Sequence, residues 1–211
     1  MTPRPIKAAL IIMAKAPEAG LAKTRLIPAL GAEGAARLAA RLLRHTVQTA
    51  MRTKTFSYRE LCVTPHTNHP AFNELRSSGP EQGITLTEQQ DGDLGTRMRH
   101  ALERVLLDHD VAIMIGTDSP GLTADVLDQS VRELDQHDAV FVPALDGGYA
   151  LIGLRQVIPT LFADMPWSTD TVMNLTRERL RESSFSWHEH APVADIDEPQ
   201  DLRHLPAGFA T

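Results

Sequence analysis

The sequence predicts an α/β fold in which a mostly parallel sheet is covered by helices on both faces. Apolar runs typical of strands alternate along the chain with segments whose apolar residues recur at helical spacing. The central run, Val111–Ile115, is apolar at every position, as expected for a parallel strand that is buried on both faces. With 211 residues, 42% of them hydrophobic, the chain can build one substantial core. We therefore expect a single domain over residues 1–211.

Each element of the first half follows from its own pattern. Continuous apolar runs predict strands, and apolar residues three or four positions apart predict helices. In chain order the predicted elements are a strand over 8–14, a helix over 35–50, a strand around 61–63, a helix over 69–79 closed by Gly79, and a strand over 84–89.

The second half continues the alternation. Its predicted elements are a helix over 98–106, the central strand over 111–115, a helix over 126–134, a strand over 138–144, and an apolar return strand within 149–154. Thr123 is a plausible N-cap for the helix over 126–134, because its hydroxyl can accept a hydrogen bond from a free backbone N–H of the first turn.

The charge of the chain argues against nucleic acid as a partner. Lys and Arg number 21 against 27 Asp and Glu, and the resulting formal net charge of -6 repels a phosphate backbone. The single cysteine, Cys62, lies in an apolar stretch, which favours a core position and excludes an intrachain disulfide. The apolar run over 8–14 ends at Lys15 and is too short to span a bilayer. We therefore expect a cytoplasmic protein with no membrane span.

The central strand runs into a polar turn with Asp118 at its tip. In open α/β sheets, ligands bind beyond the carboxyl ends of the strands, so a carboxylate at this point is well placed for chemistry. Asp118 is therefore a candidate catalytic residue. The alternative is an ordinary turn aspartate that caps the following helix.

The loop after the first strand carries Gly20, Lys23 and Arg25. A glycine lets the backbone approach a ligand, and two cations can neutralise phosphate oxygens, so the loop is a candidate nucleotide-binding segment. It is not a Walker A loop, because Ala22 stands where that motif requires its second glycine. The alternative is a solvated basic loop.

Paired glycines, Gly147 and Gly148, separate the strand over 138–144 from the return strand. They would let the backbone come close to a sugar or an acceptor, and Asp146 would offer a hydrogen-bond acceptor. The alternative is a hairpin turn, for which Asp-Gly is also a good sequence. Trp167 could lie over a sugar, or it could form a hydrophobic staple at the start of a helix.

Two further carboxylates, Asp195 and Asp197, alternate about Ile196 near the end of the chain. On an extended segment they would share one face. Alternatively, Asp197 would cap a short helix, with Gln200 completing a capping box.

Six ordered motifs resemble those of a known family. In chain order they read "KAPEAGLAKTRL", "DGDLGTRM", "GTDSPGL", "PALDGGYALIGL", "PWST" and "DIDEPQDL", and they span nearly the whole chain. Together they resemble the bacterial glycosyltransferase-like family of the nucleotide-diphospho-sugar transferase superfamily, some members of which are assigned to arsenosugar biosynthesis. The chain is also similar to 2-phospholactate guanylyltransferases and molybdenum-cofactor nucleotidyltransferases. The resemblance implies a GT-A fold, a Rossmann-like sheet that holds a divalent metal against the phosphates of a nucleotide.

The resemblance also implies roles for individual residues. Asp118 becomes a ligand of Mg²⁺ or Mn²⁺, with Asp197 as the second ligand and Asp195 in reserve. Nucleotide binding falls to Gly20, Lys23, Arg25, Gly95 and Arg97. Binding of the sugar or acceptor, with Asp146 as a second catalytic candidate, falls to Gly147, Gly148, Tyr149, Trp167, Ser168 and Thr169. The chain has Asp-Ser-Pro where many glycosyltransferases have Asp-x-Asp, which leaves the number of metals open.

The sequence therefore predicts a metal-dependent transferase that uses a nucleotide-activated donor and a small-molecule acceptor. Transfer of a glycosyl group from a nucleotide-diphospho-sugar is the first candidate reaction. Nucleotidyl transfer from a nucleoside triphosphate to a phosphorylated acceptor, with release of pyrophosphate, is the second. A nucleotide-binding protein without turnover is the third.

Overall fold

The alternating elements build one seven-stranded sheet within residues 6–77 and 83–209, the part of the chain that the computed structural model describes. The strands are β1 (Ala8–Lys15), β2 (Phe56–Thr64), β3 (Thr85–Glu88), β4 (Val111–Ile115), β5 (Ala139–Pro143), β6 (Tyr149–Leu154) and β7 (Trp187–Glu189). They lie in the order β3-β2-β1-β4-β6-β5-β7. The pairs β3-β2, β2-β1, β1-β4 and β5-β7 are parallel, whereas β6 runs antiparallel to both β4 and β5.

Helices cover both faces of this sheet. They are α1 (Ile27–Arg52), α2 (Pro70–Ser77), α3 (Leu94–Leu106), α4 (Ala124–Glu133) and α5 (Val172–Glu182). The apolar sides of α1, α2 and α4 form a core with one face of the sheet, and those of α3 and α5 form a core with the other. Alternate residues of β1 accordingly belong to opposite cores, Leu10 to the first and Ile11 to the second. A strand with this environment must be apolar at consecutive positions.

The predicted α/β fold with a mostly parallel sheet is confirmed. The predicted cap is also confirmed, because the hydroxyl of Thr123 accepts a hydrogen bond from the backbone N–H of Val126 at 3.3 Å.

Cys62 is buried in the core, where burial raises the pKa of its thiol. Gly79, the predicted end of the second helix, lies outside the described residues. Within the described residues, no helix is long and apolar enough to cross a membrane.

The topology gathers several loops at one edge of the sheet. The carboxyl ends of β1, β2, β3, β4 and β5 meet there, and the antiparallel β6 begins there. The segment after β7 returns to the same edge, where Val193 pairs with Ala144 just beyond β5. Side chains from distant parts of the sequence are therefore brought together at this edge.

Candidate active site

A pocket of about 610 Å³ opens at the carboxyl edge of the sheet. Most of the predicted site residues line it. These are Lys23, Arg25, Arg97, Asp118, Asp146, Gly148, Tyr149, Trp167, Ser168, Thr169, Asp195 and Asp197. The structure therefore unites motifs that are spread over 175 positions of the sequence, from 23 to 197.

The charges of the pocket are divided between two walls. Beyond β1, β2 and β3, the described lining residues contribute cations and no carboxylate: Lys15, Lys23, Arg25 and Arg97, which we call the basic wall. Beyond β4, β5 and β7, they contribute carboxylates and no cation: Asp118, Asp146, Asp195 and Asp197, which we call the acidic wall. A ligand in this pocket would therefore meet positive charge on one side and negative charge on the other.

The two walls meet in a set of ion pairs. The ammonium nitrogen of Lys23 lies 2.7 Å from Asp118 Oδ1 and 3.5 Å from Asp197 Oδ1. Arg25 Nη1 lies 2.6 Å from Asp197 Oδ2. The Lys23 side chain is only 6% exposed, whereas that of Asp118 is 50% exposed. One buried ammonium thus bridges two carboxylates that open to the pocket.

The loop after β1 positions Lys23. Its turn is closed by a hydrogen bond from the backbone N–H of Ala22 to the carbonyl of Glu18, and Lys15 Nζ donates to the carbonyl of Leu21. Gly20 has a φ of +80° within this turn and does not belong to the pocket lining. Its left-handed backbone indicates that it shapes the loop, and contact of Gly20 with a nucleotide stays a prediction.

The final segment positions the second carboxylate. The backbone N–H of Ile196 donates to the carbonyl of Asp118 at 2.8 Å, and the Ile196 side chain is buried against α1 and the turn that precedes it. Asp195 and Asp197, on either side of Ile196, both line the pocket. The short helix that follows has its capping box formed by Glu198 and Asp201. The predicted box of Asp197 and Gln200 is therefore wrong by one position, which leaves the Asp197 carboxylate available to the pocket.

Asp195 and Asp146 form a second carboxylate pair on the acidic wall. The parallel pairing of Val193 with Ala144 sets the two segments side by side, and each carboxylate lies two residues further along. Burial raises the pKa of Asp195 to about 6, and the charge of Asp146 adds to this shift. Asp146 Oδ1 accepts a hydrogen bond from the Gly148 N–H at 2.9 Å. One of its oxygens therefore holds the turn, as the hairpin alternative requires.

Gly95 and Gly147 belong to the scaffold of the pocket and not to its lining. A Cβ at Gly95 would lie 2.7 Å from Trp167 Nε1, so the missing side chain lets the indole pack against α3. Gly147 has a φ of +93°, and a Cβ there would lie 2.2 Å from the carbonyl oxygen of Asp170. Both glycines thus permit close approaches between protein segments.

Two aromatic side chains line the pocket beside the start of α3. The rings of Tyr149 and Trp167 meet edge to face, with centroids 6.4 Å apart. Burial raises the pKa of the Tyr149 hydroxyl, and neither this hydroxyl nor Trp167 Nε1 has a hydrogen-bond partner among the described residues. Both polar atoms are buried, so a bound ligand would contact the ring faces and not these two groups. The staple alternative for Trp167 is wrong, because the N-cap of α5 is Thr171, four residues further on.

The neighbouring "PWST" residues are held mostly by local contacts. Thr169 Oγ1 donates to the carbonyl of Pro166 at 2.7 Å and lies 2.8 Å from Thr171 Oγ1. Ser168 has a φ of +65° and is exposed at the pocket rim. These two hydroxyl residues line the pocket, and Ser168 is less engaged by the protein itself.

The pocket also contains residues to which the sequence analysis assigned no role. Gln89 follows β3 directly, and its Nε2 donates to the carbonyls of Ala14 at 3.1 Å and Cys62 at 3.0 Å. This fixes the amide so that Oε1 remains as an acceptor. Leu21 and Leu94 are exposed apolar residues of the lining. The rule that ligands bind at strand ends would have indicated Gln89, because the sequence predicts a strand over 84–89.

Asp118 and Asp197 suit a divalent metal as a partial ligand set. A single cation, the Lys23 ammonium, already lies near one oxygen of each. Mg²⁺ and Mn²⁺ prefer oxygen ligands and commonly take one or two carboxylates together with phosphates of a substrate. Among the described residues, no group of three or more His, Cys, Asp and Glu side chains is arranged to hold a metal. The remaining ligands would therefore have to come from a bound nucleotide and water.

A family model described as "Uncharacterized protein conserved in bacteria (DUF2064)" matches residues 35–169. The chain belongs to this DUF2064 family. Among curated proteins, none matches the DUF2064 chain.

Solved structures show the same fold. One, from Desulfovibrio desulfuricans G20 and provisionally described as a nucleotide-diphospho-sugar transferase, is 28% identical with a TM-score of 0.83, covering 92% of this chain and 84% of that chain. CMP:2-keto-3-deoxy-manno-octonic acid synthetase complexed with CTP is 13% identical with a TM-score of 0.58, and the match covers 93% of this chain and 95% of the synthetase chain. Rv0371C in complex with manganese, from Mycobacterium tuberculosis H37Rv, is 16% identical with a TM-score of 0.52, and the match covers 93% of this chain and 96% of the Rv0371C chain. The predicted nucleotide-diphospho-sugar transferase fold is thus confirmed for this DUF2064 protein, and the link to arsenosugar biosynthesis stays a prediction.

Proposed function

We propose that this DUF2064 protein is a metal-dependent transferase that binds a nucleotide-diphospho-sugar in the pocket and transfers its glycosyl group to a small acceptor. The division of the pocket into a basic and an acidic wall carries the proposal. The D. desulfuricans protein, which is similar over most of both chains, supports it through its description as a nucleotide-diphospho-sugar transferase.

The basic wall suits the diphosphate of the donor. Lys23 and Arg25 would neutralise phosphate oxygens through charge-assisted hydrogen bonds, and Arg97 would lie toward the nucleoside. Asp118 and Asp197 would hold Mg²⁺ or Mn²⁺ beside these phosphates. When bound, the metal would stabilise the negative charge that develops on the departing nucleoside diphosphate.

The acidic wall suits an acceptor without negative charge. Asp146 and Asp195 can accept hydrogen bonds from hydroxyl or amino groups, and the exposed Ser168 hydroxyl at the pocket rim can bond to a sugar. A phosphate group placed here would meet two carboxylates and, among the described lining residues of this wall, no cation. This asymmetry favours glycosyl transfer to a neutral or amino-bearing acceptor.

Nucleotidyl transfer is the second candidate. The four cations of the basic wall favour it, because a triphosphate brings more negative charge than a diphosphate. The likeness to a synthetase solved with CTP shows the shared fold and is compatible with this reaction. Its phosphorylated acceptor, however, would have to bind against the acidic wall.

Product analysis separates the candidates. The protein is incubated with Mn²⁺ and a panel of small hydroxylated, amino and phosphorylated acceptors, once with nucleotide sugars and once with nucleoside triphosphates. Glycosyl transfer predicts acceptor-dependent release of nucleoside diphosphate in the first set and no pyrophosphate in the second. Pyrophosphate release would instead establish the second candidate. Nucleotide binding without turnover in either set would indicate a binding protein.

A further inference from the structure

The contacts of Lys23 point to more than a phosphate-binding role. Its ammonium nitrogen is buried, and within the described residues its ion-pair partners are the two carboxylates that would hold the metal. A lysine that only awaited a phosphate could extend toward the open pocket. This one instead lies between Asp118 and Asp197, where a metal would have to contact them.

The charges around this point are balanced without any ligand. Asp118 and Asp197 contribute two negative charges, and Lys23 and Arg25 contribute two positive charges, all within ion-pair distance. A divalent cation that approaches without a donor therefore meets a balanced set of charges at these four side chains. It must also displace the Lys23 ammonium from its carboxylates. This displacement is costly, because the side chain is 6% exposed and has no other ionic partner among the described residues.

A donor changes this balance. Its phosphates offer Lys23 a new anionic partner on the side of the basic wall, so the ammonium can leave the carboxylates without losing its charge partner. The freed carboxylates and the phosphates then provide oxygen ligands for one metal.

We propose that Lys23 acts as an internal counter-ion that makes metal binding conditional on donor binding. The inference rests on the proposed function, because it assumes that the pocket takes a nucleotide diphosphate. Metal and donor then bind with positive coupling, and thermodynamic reciprocity requires that each raises the affinity of the other by the same factor.

The test measures Mn²⁺ affinity from the electron paramagnetic resonance signal of free Mn²⁺, with and without a nucleoside diphosphate from the set UDP, GDP, CDP and ADP. In the wild-type protein we expect a bound nucleotide to lower the Kd for Mn²⁺ at least about tenfold, a typical strength for coupling between sites. Lys23→Met should bind Mn²⁺ alone at least about tenfold more tightly than the wild type, because the carboxylates lose their internal cation. The same variant should bind the nucleotide more weakly.

Lys54→Met is the matched control. It removes one exposed lysine at the opposite edge of the sheet, just before β2, and should leave the Kd for Mn²⁺ unchanged. Circular dichroism and the melting temperature establish that each variant is folded.

The outcomes distinguish this inference from the proposed function. If nucleotide binds to the wild type but leaves the Kd for Mn²⁺ unchanged, or if folded Lys23→Met binds Mn²⁺ alone no more tightly than the wild type, the counter-ion role is overturned and the proposed function stands. If none of the nucleotides or nucleotide sugars binds, the proposed function is overturned, and the comparison of Lys23→Met with the wild type in Mn²⁺ alone still decides the role of Lys23.

Discussion

Gly147 shows how a residue beside the pocket can hold the fold through its backbone. It combines a left-handed backbone, with a φ of +93°, and a close approach to the backbone of Asp170. Its carbonyl also accepts a hydrogen bond from the N–H of Met173 in α5. The turn after β5 is thereby fixed against the start of α5, and this contact places Gly148 and Tyr149 in the pocket.

We expect Gly147→Ala to lower the free energy of unfolding by about 2–5 kcal/mol, since left-handed strain of about 1–2 kcal/mol adds to overpacking of about 1–3 kcal/mol. Gly20→Ala is the matched control. Gly20 has a φ of +80°, but a Cβ there would have no neighbouring atom within 4 Å, so only the strain of about 1–2 kcal/mol applies. Urea denaturation of both variants measures the difference. Equal losses of stability would show that the contact with Asp170 is not tight.

Residue-level interpretation of the sequence succeeds where the interaction is local. The cap at Thr123 depends on an N–H three positions away, and the sequence indicates it. The role of Gly95 depends on Trp167, which is 72 positions away, and nothing near Gly95 indicates that an indole packs on it. The pairing of Lys23 with Asp118 and Asp197 is hidden for the same reason: the sequence indicates each charge but not its partner.

At the scale of elements, the segment after β7 joins parts of the site that are distant in sequence. It pairs with the loop after β5 through Val193 and with the loop after β4 through Ile196. The Ile196 side chain is buried with Leu26, which follows Arg25 in the turn before α1. The same apolar cluster therefore holds both Arg25 and Asp197 where the basic wall meets the acidic wall.

The edge strand β7 is held to α5 by an ion pair that makes stability depend on pH. Glu189 accepts hydrogen bonds from Arg177 Nε at 2.9 Å and from Arg177 Nη2 at 2.7 Å. Arg177 thereby holds the pKa of Glu189 below its usual value. A carboxylate with a lowered pKa stabilises the folded state above the pKa of the unfolded chain, and this contribution is lost as the pH falls through the folded-state value.

We therefore expect Glu189→Gln to lower the free energy of unfolding by about 1 kcal/mol at neutral pH. The difference from the wild type should shrink as the pH falls through the lowered pKa of Glu189, because the wild-type carboxylate is then protonated as well. Denaturant titrations at several pH values measure this. Glu178→Gln, at an exposed position of α5, should show no such trend. If the loss of unfolding free energy in Glu189→Gln stayed constant on acidification, the charge of Glu189 would not be the cause of that loss.

For the whole molecule, the sequence predicts the layers of the fold better than the order of the strands. Continuous apolar runs indicate strands that are buried on both faces, so the sequence predicts β1 and β4. Apolar residues at helical spacing likewise predict the helices that cover these strands. The insertion of the antiparallel β6 between β4 and β5 is decided by packing between distant segments, and no local pattern encodes it. The division of the pocket into two charged walls follows from that order, because the order sets which strand ends face each other.

That division predicts which acceptors the protein will use. With the preferred nucleotide sugar and Mn²⁺, we expect neutral and amino sugars to react at least about tenfold faster than the same sugars carrying a phosphate, because like charges placed together cost several kcal/mol. Asp146→Asn should narrow this ratio: it removes one charge from the acidic wall while an amide oxygen can still accept the hydrogen bond from the Gly148 N–H. Binding of the nucleotide sugar, measured by thermal shift, should be unchanged in this variant, since Asp146 forms no ion pair with Lys23 or Arg25, the proposed phosphate ligands. Equal rates with neutral and phosphorylated acceptors would contradict the assignment of the acidic wall to the acceptor and would favour nucleotidyl transfer instead.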